Sequence, residues 1–125
     1  MTVKIGINGF GRIGRMVLRE LWRRGEHRVT RINELNPDIA NMAYMLRHDS
    51  NTGKFPGTVA QTADGFTVAD AIREWCVQTS CERHIEQADW SDTDILIEAS
   101  GVDDNARGSR ALAGQVVEAV IVTKH

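Results

Sequence analysis

Residues 4–15 read KIGINGFGRIGR, and this stretch restricts the chain's architecture more than any other. Ile5 and Ile7 belong to a short apolar segment ending at Asn8, as in a strand buried on both faces. Gly9, Gly11 and Gly14 follow at the spacing G-x-G-x-x-G. From Arg12 to Arg24 the apolar residues Ile13, Met16, Val17 and Leu21 recur at helical spacing, and Gly25 is placed to end the helix. Arg28–Asn33 (RVTRIN) reads as a second strand. Strand, helix and strand within about 30 residues make one βαβ unit.

The glycines have separate tasks in such a unit. Gly9 permits a sharp turn, Gly11 leaves room for a pyrophosphate, and Gly14 lets the helix pack closely on the strand. No Ser, Thr or Asp stands at the N-cap position, so the free amides and positive dipole end of the helix are left for an external anion. The unit also predicts an acid at the end of its second strand, and Glu34 stands 20 residues after Gly14. A carboxylate there binds the adenosine ribose hydroxyls and repels a 2′-phosphate, which favours NAD over NADP. The plainer reading of Glu34 is a solvated loop residue.

Downstream, Pro37 marks the start of a second helix with Ile39, Met42, Ala43 and Leu46 as its apolar stripe. HDSNTGKFPG (48–57) reads as a loop, and Asp64-Gly65 as a hairpin turn between TVAQT and FTV. Residues 70–81 fit a short helix or a loop and strand, with the second half favouring strand. Asp94–Ala99 is a buried strand, 103–113 a helix, and Val116–Thr123 a closing strand. This alternation predicts an α/β, Rossmann-like fold: a mostly parallel sheet flanked by helices, with a small antiparallel hairpin excursion. The 125 residues suit a single domain, 1–125.

A net charge of −2 gives no bulk attraction to nucleic acid or an anionic membrane. Arg12, Arg15, Arg19, Arg23 and Arg24 read as the solvated face of the first helix. No apolar run approaches the roughly 20 residues of a membrane span, and MTVKIGING lacks the apolar run a secretory signal needs, so the expected location is the cytoplasm. Cys76 and Cys81 lack the partners of a zinc site and read as reduced, inert thiols.

Several stretches together resemble the N-terminal, NAD-binding half of glyceraldehyde-3-phosphate dehydrogenases. They are KIGINGFGRIGR (4–15), INEL (32–35), AYMLRHDSNTGKFPG (43–57), CERH (81–84), Trp90, DILIEASG (94–101) and AVIVT (119–123). The resemblance implies NAD as cofactor. Arg12 and Ile13 would give backbone amides to the pyrophosphate, Asn8 and Gly9 would shape the turn, and Glu34 would hold the adenosine ribose. Arg83 would lie beside the adenine, Ser100 and Gly101 would line the cleft, and Thr123 would lie near the nicotinamide ribose. INEL also occurs in the erythrose-4-phosphate dehydrogenase branch, which makes erythrose 4-phosphate the alternative substrate.

The family's thiolate nucleophile and its His base follow the nucleotide-binding domain, and neither Cys76 nor Cys81 lies in the corresponding turn. The expectation is therefore the cofactor half of a phosphorylating aldehyde dehydrogenase, inactive alone, without its catalytic domain and with no catalytic residue of its own. It would pair with a catalytic domain or chain in trans, or self-associate. The alternative is a stand-alone, non-catalytic nucleotide-binding or interaction module.

Overall fold

The computed structural model describes residues 2–49, 53–101, Gly108 and the backbone of 118–121. Its main sheet has seven strands in the order β5-β6-β7-β2-β1-β8-β9. They are β1 (Lys4–Asn8), β2 (Arg28–Asn33), β5 (Thr58–Gln61), β6 (Gly65–Ala69), β7 (Glu74–Ser80), β8 (Ile95–Glu98) and β9 (Glu118–Ile121). The pairs β2–β7, β1–β2, β1–β8 and β8–β9 are parallel, whereas β5–β6 and β6–β7 are antiparallel. The hairpin is thus one edge of the main sheet. The expected helix over 103–113 lies outside the described residues apart from Gly108, and the expected closing strand is described only over Glu118–Ile121.

β1 is central and buried from Ile5 onward, as its apolar composition requires. Ile5 and Ile7 face one core with Leu18, Trp22, Val29 and Ile32, and Ile95 and Ile97 pack against it. β2 reaches that core with both Val29 and Ile32 because the register slips: Ile5 pairs with Val29 but Gly6 pairs with Arg31, leaving Thr30 as the extra residue of a bulge. A second cluster holds Ile85, Ala88, Trp90 and Leu96. Gly6 is glycine for that cluster's sake, since a Cβ there would stand 2.7 Å from the Trp90 ring.

Helix α1 spans Arg12–Arg24 and ends at Gly25, whose φ of 74° lets its amide reach the Leu21 carbonyl. Its fully buried face is Gly14, Leu18 and Trp22. The expected stripe is therefore one residue out of phase: Met16 is 51% exposed, and Ile13, Val17 and Leu21 are only half-buried. The arginines also divide. Arg23 and Arg24 pair with Glu20 on the wet face, but Arg15 donates to the Phe10 carbonyl and Arg19 to the carbonyls of Leu46 and Gly53.

Helix α2 spans Ile39–Arg47 and buries Met42, Ala43 and Leu46, with Ile39 half-buried. Its N-cap is Asp38, whose carboxylate accepts from the Asn41 amide, so Pro37 precedes the helix instead of opening it. The segment expected as a loop contains a two-stranded antiparallel sheet, β3 (His48–Asp49) with β4 (Gly53–Lys54). The β5–β6 connection is 62–64, and Gly65 belongs to β6. Glycine is needed there because a Cβ would lie 2.0 Å from the Val77 carbonyl oxygen.

Candidate functional site

A cleft of about 280 Å³ opens at the carboxyl ends of the parallel strands. In open parallel sheets this is where ligands bind, because strand ends and helix N-termini converge there. Among the described residues four segments line it: Asn8, Gly9, Gly11, Arg12 and Ile13 from the end of β1 and the glycine turn; Asn33, Glu34 and Leu35 from the end of β2 onward; Glu82 and Arg83 beyond β7; Ala99 and Ser100 beyond β8.

Hydrogen bonds past the strand ends hold this floor together. The Gly9 amide donates to the Asn33 carbonyl at 2.8 Å, the Ala99 amide to Asn8 at 2.8 Å, and the Glu34 amide to Ser80 at 2.9 Å. Gly9 adopts φ 96°, and a Cβ on it would lie 2.7 Å from the Ser100 backbone. Gly14 does not line the cleft. It is buried, where a Cβ would stand 2.1 Å from the Gly9 carbonyl oxygen, so it seats the helix on the turn.

Gly11 differs from both. An added Cβ would meet no atom within 4 Å, so the front of α1 opens into the cleft. Gly11 is the N-cap and supplies no side-chain acceptor to the helix. The first-turn amides, those of Arg12 and Ile13 among them, have no acceptor within the helix, and the dipole leaves a partial positive charge there. The arrangement suits an anion approaching the backbone closely.

Glu34 lines the cleft against the glycine turn. One carboxylate oxygen accepts from the Phe10 amide at 2.8 Å and the other from the Asn36 amide at 2.9 Å. The side chain is braced between the turn and the segment after β2, and each oxygen keeps a second lone pair for a ligand hydroxyl. Arg83 is exposed on the wall, and Gly101 is exposed with φ 75° next to Ser100. Thr123 lies outside the described residues.

Under the cleft runs a row of polar side chains, in which Asn8 and Ser100 were marked by motif and Asn33, Ser80 and Glu98 were not. Asn8 is 2% exposed; its amide donates to Glu98 Oε1 at 2.8 Å and its oxygen accepts from Asn33 Nδ2 at 2.8 Å. Asn33 Oδ1 accepts from the Ser80 hydroxyl and the Glu82 amide, each at 2.8 Å. Glu98 also accepts from the Ser100 hydroxyl at 2.7 Å. The available signal was a glutamate inside DILIEA, a segment apolar enough to be buried on both faces.

Cys76 and Cys81 are exposed, free thiols, and neither lines the cleft. Among the described residues no His, Cys, Asp and Glu group is arranged to hold a metal. Among them also, no helix is long and apolar enough to cross a membrane.

Comparison with known proteins agrees with this geometry. The family described as glyceraldehyde 3-phosphate dehydrogenase, NAD binding domain, matches residues 3–106. The chain is 42% identical over 103 residues to the glyceraldehyde-3-phosphate dehydrogenase of Lactococcus lactis, covering 81% of this chain and 29% of that protein. It is 39% identical over 112 residues to the enzyme of Salmonella typhimurium, covering 86% and 32%. Glyceraldehyde-3-phosphate dehydrogenase A of Escherichia coli K12 gives the same 39% over 112 residues. The chain spans about a third of the length of the curated relatives it matches.

Proposed function

The chain belongs to the glyceraldehyde-3-phosphate dehydrogenase family through that family's NAD-binding domain, and on that footing we propose that the cleft between the glycine turn and Glu34 is where it holds NAD. The observation that carries this is the open, uncapped helix front at Gly11, with the Glu34 carboxylate lining the same cleft. The amides of Arg12 and Ile13 hold the pyrophosphate, and Asn8, Gly9 and Gly14 keep the turn in shape. Glu34 takes the adenosine ribose hydroxyls and repels a 2′-phosphate. Arg83 flanks the adenine, Ser100 and Gly101 line the nicotinamide side, and Thr123 completes it. NAD supplies the hydride acceptor when bound.

Residues 1–125 act as one dinucleotide-binding domain of a cytoplasmic oxidoreductase that oxidises a sugar-phosphate aldehyde, glyceraldehyde 3-phosphate or erythrose 4-phosphate. The nucleophilic thiol and its base come from outside these residues, on a catalytic domain or a chain in trans. Neither thiol described here stands in the cleft, and Cys76 Sγ lies 3.7 Å from the Glu74 carboxylate.

Titration calorimetry on the 125-residue chain tests this reading. NAD should bind more tightly than about 1 mM, an affinity of only about 4 kcal/mol. NADP should bind more weakly, and Glu34→Ala should weaken NAD while narrowing the gap to NADP. Binding of neither nucleotide would sink the proposal, and an unaltered NAD-to-NADP ratio in Glu34→Ala would remove Glu34 from the site.

A further inference from the structure

Four neighbouring parallel strands place polar side chains at one level of the sheet. The register pairs Glu98 with Asn8, Asn8 with Asn33, and Asn33 with Ser80. Their hydrogen bonds have one direction. The Ser80 hydroxyl and the Glu82 amide donate to Asn33, Asn33 donates to Asn8, and Asn8 donates to Glu98. Asn33 also donates to the Glu82 carbonyl at 2.8 Å, so it grips that residue by both backbone groups. From the other side the Ser100 hydroxyl and amide donate to the same Glu98 oxygen, at 2.7 and 3.2 Å.

Glu98 is 1% exposed, and the chain of donors ends on its carboxylate. Glu98 Oε1 accepts from Asn8 and from both Ser100 donors, whereas a carboxamide can turn over and exchange donor for acceptor. Glu98 therefore matches the donor end of the Asn8 carboxamide, the Glu82 amide and carbonyl match Asn33 from the other end, and the Asn33–Asn8 bond locks the two in one sense. The row ends at opposite walls of the cleft, Ser100 on one side and Glu82–Arg83 on the other.

We infer that Glu98 is a positioning residue for the cofactor cleft: through Asn8 and Asn33 it sets the Glu82–Arg83 wall, and directly it sets Ser100. It touches the cofactor nowhere. The inference rests on the proposed binding of NAD in this cleft. It differs from a purely structural role in one respect: removing Glu98 must alter ligand binding at the far wall, three strands away, in protein that is still folded.

Adenosine monophosphate is the probe for that wall, because it carries only the adenosine half of NAD. The affinities of the full chain for NAD and for AMP are measured well below the melting temperature, for the unsubstituted protein, Glu98→Gln and Glu98→Ala. Glu98→Ala leaves buried donors without an acceptor and should weaken both ligands by roughly tenfold or more. Glu98→Gln keeps one acceptor oxygen but puts an amide donor in place of the other, and should fall between the two, which also covers an unfolded alanine variant. A lower melting temperature with both affinities unchanged would reduce Glu98 to a structural residue. Weakened NAD with unchanged AMP would confine its action to Ser100 and overturn the relay. If the unsubstituted chain binds neither nucleotide, the reading of the cleft fails first and this inference with it.

Discussion

Gly11 and Gly14 are three positions apart, and an added methyl group meets opposite fates at them. At Gly14 it would sit 2.1 Å from the Gly9 carbonyl oxygen, a backbone atom that no rotamer change can move. Gly14→Ala should lower unfolding free energy by about 3 kcal/mol, the upper part of the usual range for overpacking. At Gly11 the methyl group meets nothing within 4 Å and the backbone has φ −79°, which any residue adopts. Gly11→Ala should cost less than about 1 kcal/mol, the difference between glycine and alanine as caps. It should nevertheless weaken NAD, because the methyl group occupies the approach to the helix amides. Urea denaturation and titration calorimetry on the two variants read the two effects. A Gly11→Ala protein binding NAD at full affinity would show that no ligand group comes near that backbone.

At the scale of elements, the C-terminal end of α1 is held by the turn before β7. The Arg73 guanidinium lies 3.7 Å over the Trp22 ring and donates to the Trp22 carbonyl. Asp70 shapes that turn by accepting from the amides of Ile72 and Arg73 at 2.8 and 3.0 Å. These bonds, that from Ile72 first, hold the Asp70 carboxyl below its ordinary value of 3.8. A folded-state value below the unfolded one adds stability above about 3.8 that is lost as pH falls through the lower value. Asp70→Asn should thus melt at a lower temperature than the unsubstituted chain at pH 7, and the difference should shrink as pH drops below that window. Calorimetric melting across acid pH checks this; a constant difference down to strongly acid pH would count against it.

The same helix shows what could be read in advance. Its ends were legible because Gly11, Gly25 and the strand before it are strong local signals. Its rotation was not, because period alone allows several phases and the stripe through Ile13 and Val17 looks as good as the true one. The phase is set by a backbone contact: Gly14 must face Gly9, which turns Leu18 and Trp22 inward at intervals of four. The pair β3–β4 was missed for another reason, since two-residue strands have no periodicity to detect. In the cleft, the turn, Glu34, Arg83 and Ser100 were marked by motif, whereas Asn33, and Glu98 beneath it, gain their places through strand register, and Glu82 through the Asn33 side chain that holds its backbone.

At the scale of the whole molecule, the parallel strands deliver four described segments to one end of the sheet, and among the described residues lining that end none carries a thiol or an imidazole. The 125-residue chain supplied with NAD, phosphate and glyceraldehyde 3-phosphate should produce no NADH above background, even where calorimetry shows NAD bound. Turnover by rigorously purified chain would place a nucleophile within these residues and overturn the division of labour proposed here.

The three tryptophans are shared between the two hydrophobic clusters. Trp22 and Trp75 meet edge to face at 4.9 Å in one, and Trp90 is buried in the other with its indole nitrogen donating to the Ile85 carbonyl. None of them lines the cleft. Intrinsic fluorescence therefore reports on each cluster in turn once the tryptophans of the other are replaced. Trp90→Phe leaves emitters in one layer alone, and Trp22→Phe with Trp75→Phe leaves one in the other. Coincident denaturation curves would mean that the layers melt as one. Curves that separate would expose a half-molten protein whose two halves keep different clocks.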